Sequence, residues 1–72
     1  MEPQVEVFRT TVATPAQAHR LITRLQQLFP ACRITFDLDD CDKVLRMAGA
    51  PVCPQTVAAC LAQAGYACRP LE

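Results

Sequence analysis

Residues 32–48 read Cys-Arg-Ile-Thr-Phe-Asp-Leu-Asp-Asp-Cys-Asp-Lys-Val-Leu-Arg-Met-Ala. In an extended chain Ile34, Phe36 and Leu38 point one way and Arg33, Thr35, Asp37 and Asp39 the other. That period of two is the pattern of a strand with one buried face, spanning Cys32 to Asp39. Asp39-Asp40-Cys41-Asp42 follows as a polar hairpin turn. Lys43 to Ala48 then returns as a second strand, with Leu45 and Met47 on the core side.

On the N-terminal side, Val5 to Val12 (VEVFRTTV) is rich in β-branched and aromatic residues and reads as a strand. Thr14-Pro15-Ala16-Gln17 is a helix start: a threonine to cap, a proline for the first position and a glutamine to complete a capping box. Ala18, Leu21, Ile22, Leu25 and Leu28 recur at helical spacing, and the helix is expected to end near Phe29-Pro30. On the C-terminal side, Gly49-Ala50-Pro51 breaks the third strand. Pro54 opens a second helix with Val57, Cys60, Leu61 and Ala64 on its apolar side, and Gly65 ends it in a left-handed turn. Tyr66 to Leu71 forms a short last strand, which Pro70 assigns to an edge. The order strand, helix, strand, strand, helix, strand predicts an α+β fold, the ferredoxin-like βαββαβ sandwich. Two helices cover one face of a four-stranded antiparallel sheet, in a single domain over residues 1–72.

Composition narrows the function classes. Lys+Arg and Asp+Glu both number 7, for a formal net charge of zero, which argues against a strongly basic nucleic-acid footprint. Nothing approaches the apolar length of a transmembrane helix. Met1-Glu2-Pro3-Gln4 lacks the basic and apolar regions of a signal peptide, and the five cysteines are odd in number. Both features predict a reducing, cytoplasmic setting in which cysteine serves mainly as a small apolar residue. The chain has no serine and no asparagine, and one histidine, His19. A serine triad is therefore excluded, and no acid–base or nucleophile–base pair can be assembled, so an enzyme is not expected.

Several pieces carry a resemblance to a known family. They are FRTTVATPAQAHRLITRL (8–25), ITFDLDD (34–40), KVLRM (43–47) and TVAACLAQAGY (56–66), whose Ala-Gly-Tyr exit from the second helix is the closest match. In order and spacing they resemble the heavy-metal-associated domain of small copper chaperones. FDLDDCDKVLRM (36–47) also resembles small bacterial proteins of this fold. That family holds soft metal on a Met-x-Cys-x-x-Cys loop after the first strand. Aligned on the flanking strand and helix, the loop falls on Val12-Ala13-Thr14-Pro15-Ala16-Gln17, so Thr14 and Gln17 stand where the cysteines would be. Thiolates bind Cu(I) or zinc there, and a hydroxyl and a neutral amide do not replace them.

The five thiols are Cys32, Cys41, Cys53, Cys60 and Cys68, with no Cys-x-x-Cys pair among them. In this topology Thr14, Gln17, Cys41, Tyr66 and His19 are expected at one end, and Cys32 and Cys53 at the other. Metal binding, if any, falls to Cys32, Cys53 or Cys41, although closed zinc sites usually take four ligands. Cys53, at a helix N-terminus, is the candidate for thiol-redox chemistry; Cys60 and Cys68 are expected to pack. Asp37, Asp39, Asp40 and Asp42 lack the glycine and later glutamate of an EF-hand and read as solvated hairpin charge. Phe8 and Phe36 fall on the core side, which leaves the open face without the aromatics of an RNA-recognition motif. The helix-free face is expected to carry Val5, Val7 and Val44 with Arg9, Arg46 and Thr35. Arg20 and Arg24 on the first helix would oppose the acidic hairpin. The expectation is a small cytoplasmic interaction module without a cofactor, meeting an unknown protein partner or a second copy, with no nucleic acid and no membrane. The alternative is a Cu/Zn-binding or thiol-redox protein using non-standard cysteines.

Overall fold

A computed structural model describes residues 5–71. The chain runs β1 (Val5–Thr10), α1 (Pro15–Leu28), β2 (Arg33–Asp37), β3 (Val44–Ala48), α2 (Pro54–Gln63) and β4 (Cys68–Pro70). The strands form one sheet in the order β2-β3-β1-β4, and every neighbouring pair is antiparallel. This is the ferredoxin-like βαββαβ arrangement.

One apolar cluster joins the layers. Phe8, Ile34, Leu45 and Met47 from the sheet meet Ala18, Leu21 and Leu25 of α1 and Val57, Cys60 and Leu61 of α2. The sheet residues share one parity along their strands, so both helices cover one face. Phe8, Leu25, Leu45, Met47, Val57 and Leu61 are fully buried. Each side chain of that size contributes roughly 1.5–3 kcal/mol on leaving water.

β1 stops at Thr10 rather than Val12. The Thr10 hydroxyl donates to the Lys43 carbonyl (2.6 Å) and accepts from the Val12 N–H (3.3 Å). This local bond turns the chain out of the ladder while Val12 remains wholly buried. β2 is likewise shorter than Cys32–Asp39, although Cys32 still packs in the core. The hairpin turn extends through Lys43, whose φ of 48° is left-handed and delays β3 to Val44. Asp42 N–H donates to Asp40 Oδ1 (2.9 Å) and Lys43 N–H to the Asp40 carbonyl (3.0 Å), which fixes that turn.

α1 ends at Leu28 with Phe29 as its cap. Leu28, on the expected apolar stripe, is 54 % exposed because the last turn runs past the core. The end of α2 follows the glycine. Gly65 has φ +95°, its N–H donates to the Ala62 carbonyl (3.0 Å), and the Tyr66 N–H donates to the Leu61 carbonyl (2.8 Å). These are the two bonds of a Schellman motif. Ala64 becomes the C-cap and is exposed, not part of the apolar side. β4 has three residues instead of the six from Tyr66 to Leu71, and it does lie at an edge. Gly49, at the end of β3, has φ +110°, and a Cβ there would stand 3.1 Å from the Ala31 carbonyl oxygen.

Candidate functional site

The loop between β1 and α1 is built as a helix start. Thr14 is the N-cap in extended conformation (φ −126°, ψ 154°), and its hydroxyl accepts from the Gln17 N–H at 3.2 Å. Gln17 Oε1 accepts in return from the Thr14 N–H (3.3 Å) and the Ala13 N–H (3.0 Å). With Pro15 in the first turn, where its missing N–H costs nothing, three backbone donors are satisfied by two side chains. Neither Thr14 nor Gln17 is a soft-metal ligand, and their acceptor atoms are committed to the backbone. The residues at this loop do not fit a bound soft cation.

The end of the sandwich that this loop occupies is divided into separate depressions. Gln17 shares one of about 240 Å³ with Arg20, Arg24 and Tyr66. His19 shares another, about 410 Å³, with Phe36, Asp37 and Asp39 of the hairpin. Cys41 lies in a third, about 400 Å³, with Arg9, Asp42, Cys68 and Arg69. Among the described residues, the one group of three metal-capable side chains is Asp40, Cys41 and Asp42, within 4.8 Å of one another. Two of the three are engaged: Asp40 Oδ1 accepts the Asp42 N–H, and Asp42 pairs with Arg9 at 3.2 Å. Two hard carboxylates and one thiol on an exposed turn also match no single class of metal.

At the other end the two thiols have different surroundings. Cys32 is buried in the core cluster and its thiol donates to the Ala50 carbonyl at 3.7 Å. Cys53 is exposed at the N-cap of α2 and forms no side-chain capping bond. The Thr56 hydroxyl, and then the N–H groups of Thr56 and Gln55, nonetheless lie where they favour a thiolate and lower the Cys53 pKa. All five cysteines are free thiols.

One neighbourhood was not legible in the sequence. Cys60 on α2 and Cys68 on β4 both belong to the core side, and burial, with Cys60 adding to it, pushes the Cys68 thiol up to about 11. Nothing local joins positions 60 and 68; the Schellman turn at Gly65 sends β4 back alongside its own helix. Val44 also departs from expectation. It points away from the core cluster yet is only 6 % exposed, because β3 is an inner strand whose neighbours crowd it from both sides.

Compared with protein-family models, curated proteins and solved structures, the chain matches none of them. No described helix is long and apolar enough to cross a membrane.

Proposed function

We infer that this chain is a small protein-interaction module that has the frame of a heavy-metal-associated domain without its metal loop. It acts by binding, carries no reaction of its own and works in a reducing compartment where its thiols stay free. The observation that carries this reading is the reciprocal Thr14–Gln17 capping box, which spends on starting α1 the two positions that would otherwise hold sulfur.

The test is a titration of the reduced protein with Cu(I) or Zn(II) against a competing chelator. No one-to-one uptake is expected, whereas the double variant Thr14→Cys/Gln17→Cys should gain it. Tight stoichiometric metal in a protein with Cys32, Cys41 and Cys53 all substituted would defeat the reading.

A second reading has one observation behind it: Cys53 is exposed and its thiol is lowered by its helix-start neighbours. A thiol function at Cys53 requires its labelling to outpace the other four near neutral pH. Uniformly slow labelling of all five removes it.

A further inference from the structure

Every strand places one exposed arginine on the helix-free face: Arg33 on β2, Arg46 on β3, Arg9 on β1 and Arg69 on β4. The register sets them in a row. Arg9 is directly opposite Arg69. Arg46 is opposite Val7, two residues along β1 from Arg9. Arg33 is opposite Ala48, two residues along β3 from Arg46 and in the same direction, since Ala48 faces Val5. The row therefore crosses β4, β1, β3 and β2 in their order in the sheet as a diagonal. At about 4.8 Å between strands and 3.4 Å per residue, it runs on the order of 20 Å.

Four of the six arginines in an electrically neutral chain lie on this line. The one ion pair among the described residues joins Arg9 to Asp42, on a guanidinium 55 % exposed, where screening leaves it weak. Arg9 and Arg69 repel each other across their strand pair, so the arrangement works against the sheet rather than for it. Beside the row lie Val5, Val7 and Ala48, with Val5 49 % exposed. Arginine is enriched at protein interfaces relative to the rest of the surface.

We propose that this diagonal docks an acidic segment of a partner protein. Extended, about six or seven residues span the row. Every second residue of such a segment faces the sheet, so carboxylates at alternate positions meet the guanidinium groups in turn. The proposal rests on the interaction-module reading and names the partner class. Nucleic acid fits less well. Phe8 and Phe36 face the helices, so no aromatic platform for stacking bases lies on this side. A second copy placed face to face about a twofold axis would set arginines against arginines.

Fluorescence anisotropy of a labelled peptide of alternating glutamate and valine tests this on the full chain, beside a lysine–valine peptide and an oligothymidylate of matched charge. The acidic peptide is expected to bind, and to weaken as salt rises. Arg46→Glu and Arg69→Glu should each reduce its affinity about tenfold or more, while Arg24→Glu on α1 leaves it unchanged. Circular dichroism checks the fold, and Arg46→Gln replaces Arg46→Glu if the reversal disturbs the sheet. Absence of binding overturns the proposal, as does binding indifferent to Arg46 and Arg69. Oligothymidylate binding tighter than the peptide, and lost with the same substitutions, also overturns it and makes the face a nucleic-acid surface. If the peptide fails while the Thr14–Gln17 loop takes no metal, only this inference falls; metal on that loop removes the interaction-module reading itself.

Discussion

The two helices of this protein begin differently. Both have proline in the first turn. α1 is preceded by Thr14, whose hydroxyl is tied into a reciprocal pair with Gln17; α2 is preceded by Cys53, whose sulfur caps nothing. At the first start the side chains satisfy backbone donors and have no capacity left for a ligand. At the second the donors are not claimed by the side chain, and the Thr56 hydroxyl with nearby N–H groups favours a thiolate on an exposed sulfur. A helix start can satisfy its own backbone or favour a charge on a neighbouring side chain, and the two starts differ in this respect.

The largest effect expected from that contrast is in thiol reactivity. Near neutral pH, Cys53 should be alkylated more than about tenfold faster than Cys68, whose thiol is held up to about 11 and is half-buried. Mass-spectrometric mapping of label against time measures it, and equal rates would break the comparison. Next comes the removal of the cap. Thr14→Ala together with Gln17→Ala should cost about 1–2 kcal/mol in urea unfolding, because backbone donors at the α1 start lose their acceptors. A change within error would mean that water substitutes for the box.

A pH effect of about 1 kcal/mol, discounted for the partial exposure of the site, follows from Cys68. Its folded thiol ionises at about 11, above the ordinary value near 8.5. The unfolded chain therefore loses its proton first. The contribution is complete below about pH 8.5 and disappears as pH climbs to about 11. Thermal unfolding of the native protein and of Cys68→Ala across that window should converge if the sign is right. The smallest effect sharpens the contrast from the other side: Cys53→Asp supplies the missing N-cap and a negative charge at the start of α2, and should stabilise by about 0.5–1 kcal/mol. A loss of stability would show that the thiol contributes more at that position than its lack of hydrogen bonds indicates.

Legibility in the sequence tracked the range of the interactions. The alternation at Ile34 and Phe36, and at Leu45 and Met47, survives as the core face of β2 and β3. The helix starts at Pro15 and Pro54 and the left-handed turn at Gly65 are also where the residues put them. The misplaced features were those in which distant segments compete. β1 ends at Thr10, whose hydroxyl bonds the Lys43 carbonyl, and Val44, on the helix-free face as expected, is enclosed by neighbouring strands instead of exposed. Of the candidate site, the Thr14–Gln17 box was readable in full, since all its partners lie within four residues.

The sequence alone set the order of the elements, the closure of the first loop by its own side chains and the glycine exit from α2, because each depends on bonds between residues a few positions apart. Tertiary structure decided that Cys60 and Cys68 join the same core cluster and that Arg69, Arg9, Arg46 and Arg33 form a line across four strands. Strand pairing carries that information, and it is non-local: a slip of one residue between partners would send every second side chain to the opposite face.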